Sequence, residues 1–221
     1  HQRLFLEESW KAFEDAGYAG SVLRGQRCGV YVGCGDADYL DLFQENLPPQ
    51  AFWGNANFIT PARIAYHLDL QGPAITVDTA CSSSLVATHL ACQGLWTREI
   101  DMALAGGVFI QTTPEFQLMA TKAGMLSPTG RCHTFDSRAD GFVPGEGVGV
   151  IVLKRLQEAV AEGDHIYGVI LGSGVNQDGS TNGITAPSAR SQERLERYVY
   201  GRFGIHPREI QMVEVHGNPA A

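Results

Sequence analysis

The sequence predicts an α/β protein with mostly parallel strands. Short apolar runs edged by glycine alternate along the chain with segments whose apolar residues recur at helical spacing. One of these runs leads through a polar turn directly into a long segment without proline. Hydrophobic residues make up 44% of the 221 residues and charged residues 18%, which is typical of an ordered globular chain. Strands that alternate with helices are joined by right-handed crossovers, so their sheet is mainly parallel.

The amino-terminal elements follow from the spacing of apolar residues. Leu4 to Ala16 carries them at helical spacing and ends before Gly17, which predicts an amphipathic helix. Cys28 to Val32 predicts a short buried strand. The stretch 36–57 is polar, aromatic and rich in turn residues, so it predicts a long surface excursion. Pro61 to Leu68 predicts the next helix.

The middle of the chain predicts a complete βαβ unit. Ala74 to Val77 is a buried strand, and the polar turn 78–84 follows it. Leu85 to Trp96 is rich in Ala, Leu and Val and predicts a buried crossover helix. Met102 to Val108 is the returning strand. The crossover helix therefore starts beside Cys81.

The last third of the chain predicts one more strand and helix and then a second cycle of elements. Val148 to Leu153 predicts a strand and Leu156 to Glu162 a helix. The second cycle consists of the apolar run Ile166 to Val175, a helix at Ser191 to Phe203, and a last short strand at Met212 to Val215.

Composition excludes several classes of partner. The net charge of −8 repels a phosphate backbone, so nucleic acid is not an expected partner. The longest apolar runs fall far short of the roughly 20 residues that span a bilayer, so no membrane segment is expected. Five cysteines without a CxxC pair fit neither a disulfide framework nor a zinc-site spacing. The chain is therefore expected in the reducing cytoplasm and without a bound metal.

Cys81 is the first candidate for chemistry. It follows an apolar strand and precedes a helix, where unpaired amide N–H groups and the helix dipole favour a thiolate. Asp78, Thr79 and the serines 82–84 crowd the same turn, and such residues suit helix capping as well as catalysis. The alternative interpretation, a buried inert thiol, is disfavoured by these polar neighbours.

His216 is the second candidate, because it stands at a predicted strand end where α/β enzymes place catalytic groups. A Cys/His pair is one possible arrangement, since such residues meet in space rather than in sequence. Asp136, Asp140 and Glu146 could act as acid and base, although a hydrogen-bonded structural loop is the favoured interpretation. No GxSxG turn, dinucleotide-binding glycine pattern or Walker lysine is present, so no nucleotide cofactor is expected.

The turn Asp78-Thr79-Ala80-Cys81-Ser82-Ser83-Ser84-Leu85 resembles the nucleophile motif of β-ketoacyl synthases, in particular the ketosynthase domains of modular polyketide synthases. Further blocks in the family's order agree along almost the whole chain: Gln2-Arg3-Leu4, Ala103 to Val108, Asp140-Gly141-Phe142, Gly145-Glu146-Gly147, Asn176 to Gly179 and Val213 to Gly217. Phe52 to Asn55 and Val143 to Gly147 resemble the ketosynthases of assembly lines whose acyltransferase acts in trans.

This resemblance implies a thiolase-like layered fold, α-β-α-β-α. It divides the chain into residues 1–163, an N-terminal half that lacks only its first strand, and residues 164–221, the beginning of a C-terminal half. It also implies a homodimer with an acyl carrier protein as partner. Substrates would be carried on the phosphopantetheine arm of that carrier, so no tightly bound cofactor is expected.

The resemblance assigns the chemistry to Cys81 and His216. Cys81 would accept an acyl chain by transthioesterification, and a carbanion from decarboxylation of malonyl-carrier protein would attack that thioester. His216 matches the first of two family histidines, which assist decarboxylation and stabilise the enolate, and the Cys81 amide would supply half of the oxyanion hole. Two alternatives stay open: a ketosynthase that only transfers acyl chains, and a catalytically silent docking or dimerisation module.

The sequence departs from the family after the histidine. The family's Gly-Thr-Gly-Thr is Gly217-Asn218-Pro219-Ala220 here, and the second histidine, its lysine and a glycine-rich oxyanion loop have no counterpart. The block at His1 to Leu4 also begins inside a family motif. These features predict an internal fragment of a longer ketosynthase, with terminal artefacts at Asn218 to Ala221. The fragment alone is expected to be inactive in elongation, because an incomplete oxyanion hole costs about 10²–10³ in rate.

Overall fold

The structure is a computed structural model that describes residues 1–43, 47–183 and 186–217. The expectation about Asn218 to Ala221 lies outside the described residues. The chain divides into two compact units, the first formed by residues 1–113 and 146–169 and the second by residues 114–145 and the chain from 170 onward. The boundary predicted between residues 163 and 164 concerns the two halves of the family fold, and it stays a prediction.

A four-stranded sheet forms the centre of the first unit. It consists of β1 (Cys28–Gly33), β2 (Ala74–Val77), β3 (Met102–Phe109) and β4 (Gly147–Lys154) in the order β2-β1-β3-β4. β1 pairs in parallel with both β2 and β3, whereas β4 runs antiparallel to β3. Two of the three pairings in this sheet are parallel, which confirms the predicted α/β class.

The helices of the described chain are named here in sequence order: α1 (Gln2–Asp15), α2 (Gln50–Asn55), α3 (Ile59–Leu68), α4 (Ser83–Trp96), α5 (Glu115–Lys122), α6 (Leu156–Glu162) and α7 (Ala189–Phe203). Three short 3₁₀ helices occupy Gly20–Leu23, Asp38–Leu42 and Pro207–Glu209. The helices predicted around α1, α3, α4, α6 and α7 are confirmed to within a few residues at their ends. α5 was not predicted, and the expected surface excursion contains α2 and one 3₁₀ turn.

Side chains of the sheet alternate between two cores, one on each face. Val30 and Leu104 point to the face that packs with α1 and α3. Tyr31, Ala103 and Ala105 point to the opposite face, which packs with α4. Four of the eight described residues buried in this second core are alanines, two in α4 and two in β3, so the backbone of α4 lies close to β3. The position of α4 is therefore set by the sheet itself.

The strand predicted at Met212 to Val215 is wrong for this structure, and the apolar run Ile166 to Val175 is irregular as well. Neither segment forms a strand among the described residues. Leu171 is 67% exposed and Met212 79% exposed, so these apolar side chains face solvent. A strand requires a neighbour for its backbone N–H and C=O groups, and an apolar run alone does not supply one. Among the described residues, no helix is long and apolar enough to cross a membrane.

Candidate active site

Cys81 lies where β2 turns into α4, and its side chain is exposed. Ser82 is the N-cap of the helix, but its hydroxyl accepts no hydrogen bond from the first-turn amides. Amide N–H groups at a helix start carry partial positive charge and favour an anion nearby. An exposed thiol directly before such amides is therefore well placed to act as a thiolate nucleophile.

The turn before Cys81 contains a left-handed residue. Ala80 has a φ of +54°, a conformation that costs a residue with a Cβ atom roughly 1–2 kcal/mol. Hydrogen bonds hold both of its backbone polar groups: Ala80 N donates to Asp78 Oδ1 at 3.1 Å, and Ala80 O accepts from Ser83 Oγ at 2.6 Å. Cys81 is thus preceded by a strained residue, and hydrogen bonds to neighbouring residues hold that residue in its conformation.

The hydroxyls of this turn bond mainly to the turn itself. Ser83 Oγ also accepts from Thr79 N at 2.9 Å, and Ser83 is only 6% exposed. Ser82 Oγ donates to Thr79 O at 2.9 Å from an exposed position. From the sequence, the hydroxyls of this turn suit either capping or catalysis. In the structure, the hydroxyls of Ser82 and Ser83 form hydrogen bonds within the turn.

Two glycines bring the start of α4 against the sheet. A Cβ atom on Gly33, the last residue of β1, would lie 2.5 Å from the backbone of Ser83 and Ser84. A Cβ atom on Gly107 in β3 would lie 2.8 Å from Ser84 Cβ. Real Cβ atoms do not approach other atoms so closely, so only glycine fits at these positions. The amino end of α4 therefore has no free space toward the sheet.

The other thiols of the first unit are buried. Burial raises the pKa of Cys28 to about 12 and that of Cys34 to about 11, and it also raises the pKa of Cys92. Cys132, in the second unit, is exposed like Cys81, and its sulfur accepts a hydrogen bond from Val143 N at 3.1 Å. Cys132 therefore serves as an internal reference for an accessible thiol without a helix start.

His216 lies in the second unit and is exposed. Thr134 Oγ1 donates to Gly217 O at 2.9 Å, which fixes the backbone next to the histidine. A side chain at Gly217 would collide with the Thr134 methyl group. Cys81 belongs to the first unit. The predicted Cys/His pairing stays a prediction.

The acidic residues have structural partners. Arg138 donates to Asp136 through its side chain and its backbone N–H, and these bonds hold the pKa of Asp136 at about 2. Glu146 Oε1 accepts from Gln111 N at 2.6 Å. These contacts support the interpretation of a hydrogen-bonded loop. Asp140 Oδ1 is buried and has no hydrogen-bond partner among the residues that the structure describes.

One contact was missed from the sequence. The Asp38 carboxylate accepts hydrogen bonds from the backbone N–H groups of Thr112 at 2.8 Å and Thr113 at 2.7 Å. Desolvation alone would raise the pKa of Asp38, but these bonds and those from both threonine hydroxyls hold it below its usual value. The contact fastens the excursion after β1 to the chain after β3. The two threonines follow Asp38 by 74 and 75 residues, and nothing in the sequence links residues so far apart.

No group of three or more potential metal ligands occurs within residues 1–43, 47–183 and 186–217. The candidate site consists of the exposed Cys81 thiol and the backbone amides at the start of α4.

Comparison with known proteins identifies relatives over nearly the whole chain. Residues 1–159 match the family described as "Beta-ketoacyl synthase, N-terminal domain", and residues 167–220 match its C-terminal domain. The chain is 57% identical to the polyketide synthase PksL of Bacillus subtilis, over 97% of this chain and 5% of that protein. It is 48% identical to a phenolphthiocerol/phthiocerol polyketide synthase of Mycobacterium tuberculosis, over 98% of this chain and 14% of that protein.

Solved structures show the same likeness. The ketosynthase from module 6 of the bacillaene synthase of Bacillus subtilis aligns with a TM-score of 0.92 at 56% identity, over 98% of this chain and 37% of that one. An oxazolomycin ketosynthase domain from Streptomyces albus aligns with a TM-score of 0.90 at 36% identity, over 98% of this chain and 38% of that one. These relatives confirm the thiolase-like α/β fold that the motifs implied. The chain spans little more than a third of each solved ketosynthase.

Proposed function

The chain belongs to the β-ketoacyl synthase family, a family of condensing transferases, and from this premise we propose that its parent domain elongates acyl chains in polyketide synthesis. The Cys81 thiolate attacks the carbonyl carbon of an acyl thioester on the phosphopantetheine arm of a carrier protein. A new C–S bond forms at Cys81 as the bond from the acyl carbon to the phosphopantetheine sulfur breaks, and the phosphopantetheine leaves as a thiolate that takes a proton from water. Malonyl-carrier protein then loses CO₂, and the resulting carbanion attacks the Cys81 thioester. The β-ketoacyl product stays on the carrier while Cys81 leaves as a thiolate.

The observation that carries this proposal is the placement of Cys81. It is exposed, directly precedes α4 and stands beside first-turn amides that the Ser82 hydroxyl does not cap. The Cys81 N–H and the helix start can stabilise negative charge on the thiolate and on the oxygen of a tetrahedral intermediate.

Acyl transfer to Cys81 is the direct test. We expect acetyl-pantetheine to add one acetyl group to the chain, located on Cys81 by mass spectrometry of peptides. The Cys81→Ala variant should lose this label, and Cys132→Ala should keep it because Cys132 is exposed but precedes no helix start. Equal acetylation of Cys81 and Cys132 would show that exposure alone explains the reaction and would contradict a catalytic role.

His216 favours elongation over the transfer-only alternative, because transfer-only relatives usually lack the family's first histidine. In the parent domain, His216→Ala should keep acylation of Cys81 and lose condensation with malonyl-carrier protein. A variant that still condenses would remove His216 from the mechanism. The 221-residue chain alone should acylate without elongating, and full condensation by this chain would refute that expectation.

The partners are proposed on the same basis. The parent domain is expected to be a homodimer that receives its substrates from an acyl carrier protein, without a tightly bound cofactor. Sedimentation equilibrium of the parent domain tests the dimer, and a monomer at all concentrations would contradict it. A silent docking module, the remaining alternative, would bind carrier protein but leave Cys81 unacylated.

A further inference from the structure

Ala80 is an unusual place for a left-handed backbone. Among the described residues that are not glycine, Asp69, Arg98 and Phe135 also have positive φ. Asp69 ends α3 and Arg98 follows α4, and chain ends of helices commonly adopt this conformation. Ala80 instead lies between a strand and a helix, directly before Cys81 in the sequence. The direction of the chain at Cys81 therefore depends on keeping Ala80 left-handed.

The hydroxyl of Ser83 holds Ala80 from both sides. It accepts from the N–H of Thr79, which precedes Ala80, and donates to the carbonyl of Ala80 itself. Because Ser83 is buried, water does not readily replace these bonds if the hydroxyl is removed. Two further bonds hold Ala80: its N–H donates to Asp78 Oδ1, and its carbonyl also accepts from Ser83 N at 3.1 Å. Ser82, the exposed neighbour, bonds through its hydroxyl to Thr79 rather than to Ala80.

Ser83 is itself fixed to the sheet. Gly33 and Gly107 allow the backbone of residues 83–84 to lie against β1 and β3 with no room for a side chain between them. The backbone of Ser83 thus lies against the rigid sheet, while its hydroxyl bonds to the strained turn. A residue that links a rigid element to a strained one can set the geometry of the residue between them.

We propose that Ser83 is a positioning residue that holds Ala80 in its left-handed conformation and thereby sets the direction of the Cys81 sulfur. The significance of this for acyl transfer rests on the proposed function, whereas the geometry itself does not. Acylation needs the sulfur aligned with the amides that receive the developing oxyanion, so it should depend on this positioning more than simple alkylation does.

The first measurement compares Ser83→Ala with the matched control Ser82→Ala in the 221-residue chain. Two rates at Cys81 are followed by mass spectrometry: alkylation by iodoacetamide and acylation by acetyl-pantetheine. Ser83→Ala should slow acylation by about tenfold and alkylation by a smaller factor. Ser82→Ala should leave both rates within about twofold of the wild type. Equal rates in all three proteins would overturn the proposal.

The second measurement asks whether the strain of Ala80 is the cause. Glycine adopts the left-handed conformation without cost, so Ala80→Gly combined with Ser83→Ala should recover most of the lost acylation rate. A purely structural role of Ser83 predicts the opposite, because an added glycine only loosens the turn. Failure of Ala80→Gly to improve the Ser83→Ala protein would therefore also overturn the proposal.

Circular dichroism shows whether each variant folds. If Ser83→Ala does not fold, the exposed Asp78→Ala carries the same comparison with and without Ala80→Gly, and it should show a smaller loss with the same recovery. Lack of any loss or recovery in that pair would count against the proposal. If wild-type Cys81 is alkylated but never acylated, the proposed function fails, and the alkylation rates alone decide the role of Ser83.

Discussion

The two ends of α4 differ in how their backbone groups are satisfied. At the amino end, the Ser82 hydroxyl caps none of the first amides, although Ser83 N donates to Ala80 O at 3.1 Å, and the preceding turn contains the strained Ala80 beside the exposed Cys81. At the carboxyl end, the Arg155 guanidinium donates to Leu95 O at 3.0 Å and to Ile100 O at 2.6 Å.

Charge also separates the two ends. Arg155 forms ion pairs with Asp101 at 2.7 Å and Glu158 at 2.8 Å, and Arg27 adds a second cation to Asp101. A cation at the carboxyl end of a helix complements the helix dipole. Ion pairs therefore stabilise the carboxyl end of α4, whereas the thiol of the proposed nucleophile Cys81 is exposed at its amino end. Substitutions at either end of α4 test this difference.

The largest effect should appear in thiol reactivity. Cys28 lies at the start of β1 and is fully buried in the core that packs with α1 and α3. A pKa of about 12 in place of 9.0 leaves about 10³-fold less thiolate at neutral pH. Iodoacetamide should therefore modify the exposed Cys81 much faster than the buried Cys28, as read from labelled peptides. Comparable labelling of the two thiols in folded protein would show that Cys81 is no more reactive than a buried thiol and would contradict an open amino end of α4.

The next effect concerns the contact between the sheet and the amino end of α4. Gly33→Ala places a methyl group 2.5 Å from the backbone of Ser83 and Ser84, and we expect a loss of about 3 kcal/mol in the free energy of unfolding. Gly35→Ala is the matched control, since its Cβ would meet Asp78 Oδ2 at an ordinary 3.7 Å. Urea unfolding of both variants measures the difference. Equal stability of the two would show that the turn can move away from the sheet.

The sequence predicted much of this arrangement. The strand 74–77 has the predicted bounds, and Cys81 lies between strand and helix as expected. The helix starts at Ser83 rather than at the predicted Leu85. Serines are typical of helix caps, so the sequence placed all three in the turn before the helix, whereas two of them fall in its first turn. Alternation of strands and helices also predicted the fold class, since local spacing determines which faces are apolar.

Other features depend on contacts that spacing does not encode. Alanine has no preference for a left-handed backbone, so nothing at Ala80 marks the strained turn. The ion-pairing residues around the carboxyl end of α4 come from three separate parts of the chain. The apolar run 212–215 predicted a strand from composition, but pairing needs a neighbouring strand that the local pattern does not specify.

A smaller effect should follow from removing the cap at the carboxyl end. Arg155→Met removes the guanidinium bonds to Leu95 O and Ile100 O and to the carboxylates of Asp101 and Glu158. It should cost about 2 kcal/mol, although Arg27 still pairs with Asp101. The Arg155 side chain is only 14% exposed, so water compensates little. Cys81 alkylation in the folded variant should be unchanged, because the amino end keeps its contacts. A slower Cys81 would show that the two ends are coupled.

Arg27→Met is the control for this substitution. Arg27 pairs with the same Asp101, but its side chain is 55% exposed, so its loss should cost less than about 1 kcal/mol. Denaturant unfolding of both variants under the same conditions gives the comparison. If Arg27→Met destabilised as much as Arg155→Met, charge pairing rather than the cap on the helix carbonyls would stabilise this end.

The smallest effect is the pH dependence of the carboxyl end. Hydrogen bonds from Arg27 and then Arg155 hold the pKa of Asp101 at about 2, below the roughly 3.9 of an unfolded chain. A carboxyl group whose pKa is lower in the folded state binds protons more readily when unfolded. Its contribution is therefore complete above about pH 4 and is lost as the pH falls toward 2. Since Asp101 is 46% exposed, solvent screening limits the contribution to less than about 1 kcal/mol.

Comparison of the wild type with Asp101→Asn isolates this contribution from the other carboxylates. The wild type should exceed the variant in free energy of unfolding at about pH 5, and the difference should shrink at about pH 3. Added salt should reduce the difference at the higher pH, because Asp101 and its partner Arg27 are both reached by solvent. A difference that stays constant with pH would assign the stability of this end to the hydrogen bonds that Arg155 donates to Leu95 O and Ile100 O. The contrast between an open amino end and an ion-paired carboxyl end would then rest on the cap alone.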